Sequence, residues 1–257
     1  MTTIFKFNDS SFTRATRIKP TVRDGVVQIG LMGNVVGKSL FGDAKSEAVG
    51  TITQIAALIS RLGINKYIQT NLKATSDLTF IAIAKCYLPE AGNNNLLIGD
   101  NLNINSAGQA FNSTGILLTP AGVIGVVGVK NKSTGANTNY NASGTLGIPS
   151  GKANAAWKCL ALRVGIAGIS GGTNSVSLKN LTDNVEVVRT KMDTTLYERQ
   201  SDMTKTIQVG AMVDPSTQNN DFDHFGYAIC DRALTDGELY TLYAQLQGIG
   251  ESNSVIF

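Results

Sequence analysis

Short runs of β-branched and aromatic residues recur along most of this chain, each closed by a cluster of Gly, Asn, Asp or Ser. Such runs predict strands. They fall at residues 25–31, 66–72, 78–88, 96–98, 122–129, 157–166, 175–181, 185–190, 206–213 and 225–231. Alternation is clearest between Thr79 and Lys85, where Phe80, Ala82 and Ala84 share one face. Trp157 alternates in the same way with Cys159 and Ala161, which predicts a core position for the single tryptophan.

Two stretches carry helical spacing instead. Over 51–62, Ile52, Ile55, Ala56, Ile59 and Leu62 recur at helical steps, and Gly63 follows as a stop. Further on, Thr235-Asp236-Gly237-Glu238 has the form of a capping box, with Leu239, Leu242, Tyr243 and Leu246 as an apolar stripe behind it. Gly248 is placed to end that helix, and the chain finishes on apolar Val255-Ile256-Phe257, a tail suited to docking on a partner. Many strands, few helices and no fixed repeat predict a mainly β protein, an antiparallel sandwich or jelly roll rather than a parallel α/β sheet.

Composition narrows the function. Only 16% of the 257 residues are charged and the net charge is +3, so no field exists to attract a phosphate backbone, and nucleic acid is excluded as a partner. The first residues lack the basic end, apolar run and cleavage site of a secretory signal. The most apolar stretch, 115–129, holds five Gly or Pro residues and is too short to span a bilayer, so no membrane span is expected. Cys86, Cys159 and Cys230 are odd in number and far apart, which argues against a disulfide framework and a zinc site. Their apolar contexts predict small buried hydrophobes made in a reducing compartment.

Familiar catalytic patterns fail. Gly33-Asn-Val-Val-Gly37-Lys38-Ser39 imitates a phosphate loop, but that pattern needs Gly where Met32 stands. The one histidine, His224, has no G-x-S-x-G elbow to serve and is expected at the loop edge of a strand. No two of the six Glu residues alternate on one strand, so a glycoside hydrolase would have to rely on Asp pairs such as Asp221 and Asp223. The chain is therefore expected not to be an enzyme.

What remains is oxygen-rich loop surface. Asp214, Asn219, Asn220 and Asp221 crowd one segment before the last strand, and Asn93, Asn94 and Asp100 crowd an earlier one. Such oxygens suit sugar hydroxyls or Ca²⁺, although Asn and Asp also simply make good turns. Tyr140, within an Asn-rich tip, offers a stacking face for a sugar ring. No cofactor is required by these residues, and Ca²⁺ is the single one left open.

The string from Phe225 to Tyr243 resembles the closing strand and helix of laminin-G-like, concanavalin-A-like domains: Arg232-Ala233-Leu234-Thr235-Asp236 and Glu238-Leu239 match, with Leu242-Tyr243 closing it. Asp77–Lys85 and Trp157–Val164 are similar to the family's early inner and central strands. The resemblance implies two packed antiparallel sheets with glycans, sometimes with Ca²⁺, at a loop-bearing rim. The resemblance starts near Lys66 and the sequence departs from the family before it, so the expected division is an N-terminal arm and helix, 1–65, that packs on the sandwich or a partner, and a laminin-G-like sandwich, 66–257. The Asn/Thr/Gly-rich style is similar to bacteriophage virion proteins that carry such domains. The expectation is thus a virion surface protein, made in the host bacterial cytoplasm, tail-associated or decorating, that binds cell-surface glycan as a homo-oligomer such as a trimer. The alternative is a purely structural head-decoration or cement protein that binds other virion subunits through the polar arm Asp9–Lys19 or through Val255, Ile256 and Phe257.

Overall fold

The computed structural model describes residues 20–33, 39–42, 44–101, 103–106, 108–200, 203–211 and 220–257. In chain order its first strands are β1 (Val26–Leu31), β2 (Ser39–Phe41), β3 (Ser46–Val49), β4 (Thr53–Ala56), β5 (Ile59–Leu62), β6 (Tyr67–Thr70) and β7 (Leu78–Cys86). Next come β8 (Asn95–Gly99), β9 (Asn103–Ile104), β10 (Ala110–Phe111), β11 (Thr114–Thr119), β12 (Gly122–Asn131), β13 (Asn137–Asn139) and β14 (Ala142–Gly144). The last are β15 (Ala156–Val164), β16 (Asn174–Asn180), β17 (Val185–Thr190), β18 (Tyr197–Arg199), β19 (Gln208–Val209) and β20 (Phe222–Cys230), followed by the helix α1 (Asp236–Glu251).

Two nine-stranded sheets face each other. The first runs β17-β16-β15-β7-β20-β1-β2, with β5 also on β20 and β4 beyond it. The second runs β13-β12-β11-β8-β19-β6-β3, with β14 and β18 also on β12. Their long pairings, β7 with β15 and β20 and β11 with β12, are antiparallel. The sandwich expected from the run of short strands is present, and each expected strand has a counterpart.

The central strand β7 shows why the sequence reads as it does. Phe80, Ala82 and Ala84 face the second sheet, where they join Ile116, Leu118 and Val127 in the main core. Ile81 and Ile83 face the other way, beneath Leu239, Leu242 and Leu246 of α1. Both faces of the first sheet are therefore covered, and a strand buried on both faces reads as a continuous apolar run. Each fully buried Leu, Ile or Phe in these layers contributes about 1.5–3 kcal/mol. Trp157 lies half-buried on the helix side with Cys159 and Ala161, as the alternation predicts.

The expected capping box is present at α1. Thr235 Oγ1 accepts from Glu238 N (3.2 Å), while Glu238 Oε2 accepts from Thr235 N (2.9 Å). The helix does not stop at Gly248 but runs to Glu251, after which the chain turns back through Ser254, at φ +61°, and Val255 N donates to Gly250 O (2.9 Å). A Cβ on Gly250 would lie 2.5 Å from the Phe257 ring, so the close return of the tail requires glycine there.

Three sequence expectations need correction, and one falls outside the described residues. Residues 51–62 form the hairpin β4–β5, not a helix. The β-branched Thr51, Ile52, Thr53 and Ile55 are poor helix formers, and Leu58, Ser60 and Leu62 are buried at a period of two. The division at residue 65 cuts through the sandwich, because β1 and β5 pair with β20 and β3 pairs with β6. The arm 9–19 lies outside the described residues. Finally, Val255 and Phe257 do not await a partner: they are buried against α1 and Phe225 of the same chain, leaving only Ile256 of the tail exposed.

Candidate functional site

At one end of the sandwich β7 runs out, β8 and β20 begin, and β5 turns into β6. The loop between β7 and β8 carries Asn93 and Asn94, both half-buried, with Asn93 N donating to Glu90 O (3.1 Å) in a turn. Asn220 and Asp221, also half-buried, lead into β20. Asp221 reaches the β5–β6 turn, where its Oδ2 accepts from Lys66 Nζ (2.6 Å). Two residues on, Asp223 takes both Nε (2.8 Å) and Nη2 (3.3 Å) of Arg61. These pairs hold the approach to β20 against the end of β5 and the β5–β6 turn.

Tyr87 is buried at the start of the β7–β8 loop. Burial raises its hydroxyl above the ordinary tyrosine value; the adjacent Asn95 side chain opposes this, and the charges of Asp221 and Glu90 add to it. Because β20 pairs antiparallel with β7, His224 opposite Ala84, the segments carrying Asn93, Asn94, Asn220 and Asp221 lie at one end of the sandwich. Asp221 and Asp223 there are paired with Lys66 and Arg61, while Glu90 on the β7–β8 loop is exposed.

Below the rim lies His224. It is fully buried inside β20, not at a loop edge, because the register places it on the core face opposite Ser60 of β5, beside Phe222. Neither ring nitrogen nor Ser60 Oγ has a hydrogen-bond partner. Burial pushes the imidazole down to about 3, so it is neutral and closed to solvent.

The other site expectations disperse. Asp100 lies at the opposite end, fully buried: its Oδ1 accepts from Thr114 N (3.0 Å) and its Oδ2 from Asn103 Nδ2 (2.9 Å). Burial raises its carboxyl above the usual range, against four hydrogen-bonding and charge contributions that lower it, Arg199 among them. It braces strands and offers no oxygen to a ligand. Tyr140 sits at a lateral edge, where its hydroxyl donates to Thr190 O (3.0 Å) and Arg189 covers its ring at 5.0 Å, so it is no open stacking platform. Asp214 and Asn219 lie outside the described residues, as does most of the loop 33–39 that imitates a phosphate site.

Among the described residues, no three His, Cys, Asp or Glu side chains come together as a metal site. The three cysteines are buried and unpaired. A recess of about 200 Å³ opens at the opposite end, lined mainly by apolar residues such as Leu72, Leu78 and Ile229, with Lys73, Thr75 and Asp231 also on its wall. Lys66, Arg61, Tyr87 and His224 were not marked by the sequence as members of one site; Arg61 and Asp223 are 162 residues apart, and only sheet pairing unites them.

No protein-family model and no curated protein matches the chain. Solved structures do. The receptor-binding domain of botulinum neurotoxin D superposes with a TM-score of 0.58 at 10% identity, over 87% of this chain and 53% of that one. The same toxin's ligand-binding domain in complex with N-acetylneuraminic acid gives 0.57 at 10% identity, over 86% and 51%. The binding domain of botulinum neurotoxin DC in complex with rat synaptotagmin II gives 0.52 at 11%, over 87% and 52%. This chain spans about half the length of the solved chains it matches. At such identities the likeness establishes the fold, an antiparallel β-sandwich of the jelly-roll kind, and leaves the implied laminin-G or concanavalin-A membership without a family match.

Proposed function

We propose that this chain is a non-catalytic glycan-binding domain, with its ligand rim formed by the β7–β8 loop, the β5–β6 turn and the approach to β20. The observation that carries the reading is the strand pairing that places Asn93 and Asn94 at the same end of the sandwich as Asn220 and Asp221. Amide side chains beside the strand ends are suited to the paired donors and acceptors of sugar hydroxyls. A domain of like fold whose structure contains N-acetylneuraminic acid supports the same class of ligand. Among the described residues Asp221 and Asp223 are each held by a cation, which supports the non-catalytic reading.

The wider proposal is that the domain is displayed on a bacteriophage virion and meets a bacterial surface glycan. Three unpaired buried thiols accord with assembly in a reducing cytoplasm. The rival, a cement protein docking on other virion subunits, loses the support of Val255 and Phe257, which pack on their own chain. The test is a bacterial glycan array probed with the full chain, with and without Ca²⁺. The reading expects a hit that weakens at least about tenfold in an Asn94→Ala/Asn220→Ala double variant. Silence across the array, or a hit indifferent to that variant, overturns it.

A further inference from the structure

We propose that Trp157, with Lys85 beside it, holds one ring of an oligosaccharide on the helix side of the first sheet, at the end where the rim lies. The inference rests on the glycan reading and adds the form of the ligand, a chain of rings with at least one apolar ring face.

Strand register places the residues. Trp157 of β15 stands opposite Lys85 of β7. Across β7, His224 of β20 lies opposite Ala84, so Asp223 comes level with Lys85 one step further on. Asp223 in turn stands opposite Arg61 of β5. Trp157, Lys85, Asp223 and Arg61 therefore form one row over four strands, about 14 Å wide at three strand spacings. The row faces the helix side. Trp157 packs on that layer, and Lys85 alternates with Ile81 and Ile83, which lie in it. Asp223 and Arg61 alternate with buried His224 and Ser60 and bond to each other, Arg61 Nε to Asp223 Oδ1 at 2.8 Å.

The neighbouring rows pair Cys159 with Ile83 and Ala161 with Ile81, and Leu239, Leu242 and Leu246 of α1 cover them. At the row of Trp157 that cover gives out: Lys85 is exposed, and Trp157 and Arg61 are half-buried. The chain's one tryptophan thus stands where the sheet meets solvent, a place that filling the core does not require. The β7–β8 loop adjoins it. Leu88 N donates to Pro149 O (2.8 Å) and Leu88 O accepts from Gly151 N (3.0 Å), which ties the base of the loop carrying Asn93 and Asn94 to the segment that leads into β15.

The negative face of an indole attracts the polarised C–H bonds on the apolar side of a pyranose, and stacking removes apolar area of both from water. Beside it, the Lys85 ammonium has no ion-pair or hydrogen-bond partner among the described residues, so its donors remain for hydroxyls. Asp223 supplies acceptors, held in place by Arg61 Nε and Nη2. One ring cannot touch both Trp157 and Arg61 across that width, so the ligand that uses the row is an oligosaccharide.

Because Trp157 is the only tryptophan, its fluorescence reads this row directly. The full chain is titrated with maltotriose, chitotriose and short O-antigen and capsule fragments. At least one is expected to bind with a saturating change in emission, to shield Trp157 from acrylamide, and to bind at least about tenfold more tightly than its monosaccharide. By calorimetry, Lys85→Ala is expected to weaken that ligand at least about threefold with an unchanged melting temperature, and Trp157→Ala at least about tenfold, with Trp157→Phe restoring most of the loss. Binding that leaves emission and quenching unchanged and ignores Lys85→Ala overturns this inference and leaves the rim reading standing. Binding that needs Trp157 and Lys85 but ignores Asn94→Ala/Asn220→Ala upholds the row and overturns the rim. A panel in which nothing binds overturns both.

Discussion

Arg232 grips Glu238 through two parallel hydrogen bonds, Nη1 to Oε2 at 2.9 Å and Nη2 to Oε1 at 2.6 Å. The same carboxylate closes the capping box of α1, and the same guanidinium reaches Asp24 O (2.9 Å) at the entry to β1. The motif that resembles a laminin-G ending is therefore a mechanical joint: strand β20, the start of β1 and the first turn of α1 meet on one ion pair.

Glu238→Ala is expected to destabilise the protein by about 1–2 kcal/mol through loss of the cap. Arg232 and Thr235 hold the Glu238 carboxyl down at about 2, against 4.5 for an ordinary glutamate. Its ionic contribution is thus complete above pH 4.5 and disappears as pH falls through 2. Urea unfolding of both proteins along a pH series should show the gap between them narrowing over that window.

His224 sets the opposite kind of acid sensitivity. The unfolded chain takes a proton near 6.5 and the folded chain only near 3, so lowering the pH between those values favours unfolding. The slope is about 1.4 kcal/mol per pH unit. His224→Leu removes two unpartnered nitrogens from the core and is expected to match or exceed wild-type stability at pH 7, with a clear advantage at pH 5. Thermal melts at the two pH values check this, and parallel loss in both proteins would contradict it.

Asp100 and Arg199 are both buried, with Thr114 bridging them: its N–H donates to Asp100 Oδ1 and its hydroxyl accepts from Arg199 Nη2. Arg199 Nη1 also donates to Gly128 O (2.8 Å). Arg199→Met leaves the Asp100 charge uncompensated and should cost about 3–5 kcal/mol. Asp100→Asn in the same chain should recover a measurable part of that loss. A double-mutant cycle by urea unfolding reads the coupling, and strict additivity would remove the proposed link.

Burial pushes the Cys86 and Cys230 thiols up to about 12 and raises Cys159 well above its ordinary value. None is a thiolate near neutral pH, and none reaches solvent. Ellman's reagent should therefore label no described cysteine quickly in the native protein and all three after unfolding. Rapid labelling of any one in the folded state would show that its layer opens.

Much of the architecture was legible locally. The β-branched runs located ten of the twenty strands, and Thr235 with Glu238 marked the start of α1, because strand propensity and capping act over a few neighbouring residues. Residues 51–62 misled for the same local reason: their apolar spacing fits a helix, while their β-branched content and the period-two burial of Leu58, Ser60 and Leu62 belong to a hairpin. The choice was made by β20, which supplies the partner strand for β5.

The rim was half legible. Asn93, Asn94, Asn220 and Asp221 announce themselves as polar turns, but Asp100 and Tyr140 have equally polar neighbours and end up elsewhere. By itself, the sequence determined strand identity, the helix cap and the absence of a dominant charge, all of which depend on nearest neighbours and on sums over composition. Only the tertiary structure decided that Lys66 meets Asp221, that His224 turns inward, and that Val255 and Phe257 fold onto their own helix. Those outcomes rest on register between strands distant in sequence, where a shift of one residue exchanges the buried face for the exposed one.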